Sequence, residues 1–368
     1  NVTAAKLASG TVQNQSAFKN IIINGDMSQA QRTTSTSSIT SDNAYYSLDR
    51  YKTRLATLGT WTQSQSTTVP SGQGFATSLK MDCTTADASP AAGDRLFITQ
   101  RIEGQNLQYL KKGTSNAQSL TLSFWVRSNK TGTYICELFD QNNSRHINKS
   151  YTISSADTWE KKEITFAGDT TGAFTNNNST SLECAWWLGA GTTYTSGTLQ
   201  TSWGSSTNAN RAVGQVNLAD STSNEWYITG VQLEAGTSAS DFEFLPVDVN
   251  LDRCSRYFTI PARGAGSDTT ICNGTMYTAS EFYGVLEVGK KMRAIPTMSS
   301  ASGSNTYGVL GDASEDLTSS VVIGRITNEG VVKCRVNASA SKTQGQAAWL
   351  RFSSGADSNS FISADAEL

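Results

Sequence analysis

Three glutamates, Glu103, Glu137 and Glu183, fall in segments of alternating polarity and are the side chains best suited to acid–base work. Two carboxylates flanking a glycosidic bond hydrolyse it when they lie about 5–9 Å apart. No motif selects a pair among the three, and scattered strand carboxylates usually face water, so no catalysis is expected. The lone histidine, His146, lies in the polar stretch DQNNSRHINKS with no serine or cysteine nucleophile motif beside it, and a surface position is expected for it. Neither GxxxxGK[ST] nor GxGxxG occurs, which leaves nucleotide chemistry without support.

Aromatic residues are the better lead to binding. Strict alternation in SLTLSFWVRSN and LECAWWLGAG turns Trp125 and Trp187 away from the apolar side of their segments. An outward indole is a platform for the apolar face of a sugar ring. Trp61, Tyr194 and Trp203 lie in or near Gly/Ser/Thr-rich stretches, where a rigid sheet carries binding groups. The competing reading, burial against a neighbouring chain or domain, is favoured for Trp125 and Trp187, because exposed apolar patches usually mark protein contacts. Trp125 is accordingly assigned to inter-domain or inter-subunit contact, and Trp61, Trp187, Tyr194 and Trp203 form the ligand-binding set. Asp248, Asp252, Arg253 and Arg256 in VDVNLDRCSRYF are expected to pair within and between chains and orient a second domain.

The elements that must position these residues are strands. Period-two alternation dominates, helical periodicity is short, and Gly, Ser, Asn and Asp clusters separate the runs. Leu120, Leu122, Phe124 and Val126 share one face of the first quoted segment, as Leu182, Cys184, Trp186 and Leu188 do in the second. At 368 residues the chain has room for two domains. The expected fold class is all-β: a jelly-roll-like β-sandwich over 19–246, a short helical linker opening 247–368, and a smaller second β-domain. Residues 1–18 read as an extension ending a stalk, and the start at Asn1 suggests that the numbering opens inside a longer polypeptide. Asn328-Glu329-Gly330 is expected to turn a hairpin, and Pro296 to open an edge strand.

Charged residues are only 16% of the chain and the net charge is −2 without a basic run, so nucleic acid and anionic membranes are excluded as expected partners. No apolar run approaches the roughly 18 residues of a membrane span. Six cysteines stand far apart with no CxxC among them, which argues against zinc, and buried reduced thiols are expected.

Five blocks in order, NIIINGDMSQAQR (20–32), YYSLDRYKT (45–53), ITGVQLEAGTSASDFEFLPVDVNLDRCSRYF (228–258), KKMRAIPTM (290–298) and DAEL (365–368), resemble the distal receptor-binding portion of tailed-bacteriophage tail fibres. The resemblance spans nearly everything after residue 20, and TAAKLASGTV is similar to the short shaft repeats that precede such tips. It implies a virion adhesin, assembled in the host cytoplasm as a homotrimer, attached to upstream fibre or baseplate proteins, and recognising a bacterial surface glycan or outer-membrane protein. A glycan depolymerase and a structural virion decoration are the alternatives. The first domain of such tips resembles carbohydrate-binding jelly rolls, which hold a structural calcium through an acid near the first strand and another near the last. Asp26 stands at the first position but Thr229 at the second, so no cofactor is expected.

Overall fold

The computed structural model describes residues 18–40, 44–264, 269–311, 314–326, 331–337, 342–353, 356 and 360–368. The N-terminal extension up to residue 17 and the expected turn Asn328-Glu329-Gly330 lie outside the described residues. The chain divides into two compact units, one running to Asn250 with Leu368 added, the other from Leu251 to Glu367.

The first unit is a β-sandwich of two antiparallel sheets. A six-stranded sheet has the order Ser35–Ile39, Thr60–Ser66, Ser78–Thr85, Glu225–Ala235, Leu120–Ser128, Glu160–Phe166. A seven-stranded sheet has the order Gly204–Ser205, Arg145–Ile153, Gly132–Asp140, Thr180–Ala190, Arg95–Glu103, Lys52–Ala56, Ala44–Tyr45. Alternation decides what each sheet contributes. Leu120, Leu122, Phe124 and Val126 enter the space between the sheets and meet Leu182, Cys184, Trp186 and Leu188 from the opposite side, all of them buried. A Leu, Val or Phe side chain taken fully out of water stabilises the fold by about 1.5–3 kcal/mol. Phe124 meets Tyr151 and Trp186 edge to face, with centroids 5.2 Å and 6.1 Å away.

All six cysteines are buried, and none is in a disulfide. Burial pushes the Cys136 and Cys184 thiols well up from their ordinary value, so the reactive thiolate is scarce at neutral pH and these groups act as small apolar side chains.

Residues Val247–Ser255 form a helix of nine residues, with Asp248 in its first turn and Arg253 in its last, each sign complementing the helix dipole. The second unit is again antiparallel β. Its three-stranded sheet has the order Phe258–Arg263, Phe361–Asp365, Thr297–Ser300, so Pro296 immediately precedes an edge strand. Its seven-stranded sheet has the order Ser314–Thr318, Tyr307–Gly311, Ala347–Phe352, Thr270–Met276, Glu281–Glu287, Val331–Asn337, Val322–Ile326. Phe282, Tyr307, Val309, Leu350, Phe352 and Ile362 are fully buried in its core.

Candidate functional site, an aromatic cleft on the six-stranded sheet

Strand Leu120–Ser128 turns Ser123, Trp125 and Arg127 to the outer face of the six-stranded sheet. Trp125 lies opposite Lys161 on one neighbouring strand and Thr229 on the other. Beyond Thr229 the pairing slips before Gln232, a bulge that bends the strand. Gly230 sits in this bulge at φ +61°, and a Cβ added there would lie 2.5 Å from Phe75 Cζ. Only glycine both adopts that backbone and lets the Phe75 ring lie against it.

Phe75 comes from the loop SGQGF, and Phe242 and Phe244 from the segment after Glu225–Ala235. Their three centroids are 5.1, 5.1 and 4.8 Å apart, one pair tilted and two edge to face. This cluster and Trp125 wall a cavity of about 340 Å³, within the size range of small-ligand sites. Gln73, Ser123, Lys161, Ser240 and Asp241 supply polar groups around it. Trp125 is half-buried and Phe244 is 51% exposed, so aromatic surface is open to solvent at the mouth. Lys161 is already paired with Glu163 at 2.8 Å. Asp241 is the one carboxylate among the described lining residues.

Along the same face Tyr227 lies under two cations, Arg127 at 5.0 Å and Lys80 at 5.6 Å, with Trp159 edge-on at 6.2 Å. Glu225 pairs with both cations, at 3.2 Å and 2.7 Å. Burial by itself would lift the Glu225 carboxyl, but these partners hold it below its usual range.

The sequence-predicted ligand set is dispersed. Trp61 is fully buried in the core of the sandwich on strand Thr60–Ser66, its indole N–H donating to Leu58 O at 2.7 Å. It belongs to a strand and not to a loop, and no ring face is left for a sugar. Trp187 does point outward from the sandwich core as alternation requires, yet it is fully buried, because residues 191–216 fold back across that face. Phe97, Ile135, Ala185, Tyr194 and Ala212 enclose it in a separate apolar cluster. Tyr194 is 7% exposed and accepts from Arg95 Nη1 at 2.7 Å. Trp203 is half-buried, donates to Ala167 O at 2.7 Å and lies 5.7 Å from Lys112 Nζ. None of the four lines the cleft. Trp125, assigned from sequence to contacts with another domain or chain, lines the cleft of its own unit. Asp252 pairs with Lys290. Arg253 and Arg256 lie in and just after the helix.

The carboxylates expected in water are buried instead. Glu137 is fully buried; Arg211 donates to it with Nε and Nη2 at 2.8 Å each, Trp187 with its indole N–H at 3.2 Å, and His146 Nδ1 lies 3.1 Å away. His146, expected at the surface, is fully buried too. Its Nε2 accepts from Thr207 N at 3.4 Å, which assigns the proton of the neutral ring to Nδ1 and makes it a donor to Glu137. Burial alone would raise the Glu137 carboxyl, but Arg211 and His146 hold it down at about 2. A carboxyl so acidic carries no proton to give near neutrality. Glu183 accepts from Gln141 Nε2 at 2.6 Å and faces Arg101 at 3.6 Å, and Glu103 accepts from Gln105 Nε2 at 2.6 Å. One cause covers both corrections on this sheet: the returning segment supplies Arg211 and shuts out water.

Asp26 and Thr229, the positions implied for calcium, do meet, with Thr229 Oγ1 3.4 Å from Asp26 O. The surrounding oxygens are already served by neutral donors. Thr229 Oγ1 donates to Thr77 O at 2.8 Å, Thr77 Oγ1 to Met27 O at 2.9 Å, and Gln65 Nε2 to Met27 O and Ser28 O at 2.8 and 3.1 Å. The Asp26 carboxylate accepts from the Ser28 hydroxyl and from Asn250 Nδ2, both at 3.1 Å. Calcium takes about 6–8 oxygens and usually more than one carboxylate. Hydroxyl and amide protons stand where such a cation would be, so these residues do not fit the ion.

Phe75, Phe242 and Phe244 were missed by the reading of the sequence. The signals were present: an aromatic in a glycine-rich loop, and the alternation of FEF in the segment that follows the last strand of the sandwich.

No protein-family model and no curated protein sequence matches the chain. Among solved structures the chain is similar to the enzymatically active domain of tailspike protein 4 of bacteriophage CBA120, with 14% identity and a TM-score of 0.31 over 59% of this chain and 21% of that one. It is also similar to TmCBM61 in complex with β-1,4-galactotriose, with 9% identity and a TM-score of 0.29 over 59% of this chain and 98% of that one. A third is the family 11 carbohydrate-binding module of a cellulosomal cellulase of Clostridium thermocellum, with 12% identity and a TM-score of 0.26 over 55% of this chain and 96% of that one.

Proposed function

We propose that this chain is the distal part of a bacteriophage tail fibre, a non-enzymatic virion adhesin that attaches to the host by holding a bacterial surface glycan in the cleft at Trp125. The observation that carries this reading is the cleft itself. An indole and three phenyl rings offer flat apolar surface to the C–H face of a sugar, and Gln73, Ser123 and Ser240 line the same cavity with polar groups. The resemblance of the five sequence blocks to fibre tips supports the biological setting proposed here: a homotrimer, joined to upstream fibre or baseplate proteins, located on the tail fibre of the virion. Three copies of a shallow site suffice for attachment, since linked sites raise avidity by about 10²–10⁴.

The placement of the carboxylates supports binding without cleavage. Asp241 is the one carboxylate among the described lining residues of the cleft, and Glu137 and Glu183 are committed to internal partners on the other sheet. A bond-cleaving pair would need a second acid within about 5–9 Å of the first.

The test is a bacterial-glycan array probed with the whole chain and with Trp125→Ala. Binding that drops about tenfold in the variant, a loss of about 1.4 kcal/mol, is expected. Unchanged binding in Trp125→Ala, or shortening of a bound polysaccharide during incubation, sinks the reading. Light scattering reports the trimer on the same samples.

A further inference from the structure

The outer face of the seven-stranded sheet in the second unit carries its own aromatic surface. In strand Ala347–Phe352, Ala348, Leu350 and Phe352 enter the core, which turns Trp349 outward, 52% exposed. In strand Glu281–Glu287, Phe282, Gly284 and Leu286 are buried, and Tyr283 and Val285 point out, the latter 55% exposed. Tyr277 stacks on Tyr283 with centroids 4.6 Å apart and planes within 12°, and is itself 57% exposed. The register sets two transverse rows: Leu310, Trp349 and Asn273 in one, and Ala347, Thr275, Tyr283 and Arg335 in the other. Trp349 and Tyr283 are therefore two strands and one row apart, about 12 Å between their backbones by sheet spacing, a span longer than one sugar ring.

We propose that this face is a second saccharide platform, distinct from the cleft at Trp125, on which a neutral, extended glycan lies across Trp349 and the Tyr277–Tyr283 pair. It shares only the ligand class with the reading above. Two features favour a glycan over a second protein surface. Each row sets a polar side chain among apolar ones, Asn273 beside Trp349 and Thr275 between Ala347 and Tyr283. A dry protein interface would strand that amide and hydroxyl, whereas a sugar offers apolar C–H groups to the rings and hydroxyls to the polar groups between them. The charges select a neutral chain. Arg351 is paired with Glu315 at 2.7 Å and Arg335 with Glu281 at 3.6 Å, so the two arginines described on this face are neutralised within the sheet. Acidic sugars gain little from cations already paired.

The experiment uses the full chain, Trp349→Ala, Trp349→Phe and Trp125→Ala on an array of neutral and acidic bacterial polysaccharide fragments, with oligomeric mass and thermal melting measured on each. Trp349 is exposed, so its variants are expected to melt with the parent. At least one neutral glycan should lose about tenfold of its signal in Trp349→Ala, recover much of it in Trp349→Phe, and keep it in Trp125→Ala. The proposal is overturned if no neutral glycan depends on Trp349, if only acidic glycans do, or if Trp349→Ala changes the oligomeric mass, which would make the face a contact between copies. Dependence on Trp125 is scored separately, so failure of the cleft and failure of the platform give different patterns.

Discussion

Trp125 and Trp187 occupy matching places on opposite sides of one sandwich. Each alternates out of the shared core, and for each the reading of the sequence favoured burial against another chain or domain; on their own faces Trp125 is flanked by Ser123 and Arg127 and Trp187 by Ala185 and Gly189. One lines an open cleft and the other has no exposed surface. The difference lies in the chain that follows. After Thr180–Ala190 a long segment returns over the seven-stranded sheet; Val216 N donates to Thr133 O at 3.0 Å and Asn148 N to Gln200 O at 2.8 Å, stitching it down, while Ala212 N donates to Tyr194 O at 2.9 Å within it. Arg211 crosses Trp187 at 5.2 Å and ends on Glu137. After Glu225–Ala235 the corresponding segment is short. It is tied by Ser240 N to Glu234 and Glu243 N to Gln232, both at 2.8 Å, and delivers Phe242 and Phe244 to the rim without reaching over Trp125. An outward indole is thus enclosed on one sheet and open to a cleft on the other, although the inward alternation of the two strands is the same.

The comparison breaks most severely if the two tryptophans respond alike to truncation. Trp187→Ala should cost about 3–5 kcal/mol in urea unfolding through the cavity it leaves. Trp125→Ala should leave the unfolding free energy in urea within about 0.5 kcal/mol of the parent while glycan binding falls. Glu137→Gln strands Arg211 under the returning segment, and a loss of about 3 kcal/mol is expected, the low end for a broken buried pair because the amide keeps the shape. The same variant sharpens the pH dependence. Glu137 is held at about 2, below its unfolded value of about 4.3, so its contribution is complete above the latter and disappears as pH falls towards the former. In Glu137→Gln the acid limb of the stability profile should flatten; an unchanged limb would show that the pair does not form.

Smaller effects probe the open side. Gly230→Ala forces a positive φ and meets Phe75, and about 1–3 kcal/mol of destabilisation, with weakened binding, is expected by melting and array assay. Removing divalent cations with a chelator should leave the melting temperature where it was, since Thr77, Thr229 and Gln65 already serve the oxygens a cation would take. A drop on chelation would contradict that arrangement.

Much of the fold was legible because alternation is a local property. Leu120 to Val126 and Leu182 to Leu188 fall on the predicted faces, since a strand with one side in the core repeats every second residue whatever it packs against. The site was not legible in the same way. Trp61 lies near glycines and threonines in sequence yet belongs to a strand, and His146 lies among asparagines yet sits beneath Thr207. Local polarity describes neighbours along the chain, and burial depends on what arrives from far along it.

From the sequence alone came the strands, the inward residues of each, the reduced state expected of the cysteines, and the absence of any charge pattern for nucleic acid. Tertiary structure alone decided which outward tryptophan remained open, which glutamate met an arginine, and which phenylalanines gathered around Trp125. The physical reason is range. Side-chain alternation is set by the geometry of consecutive peptide units, whereas the loss of water from an outer sheet face requires a segment whose contacts lie dozens of residues away.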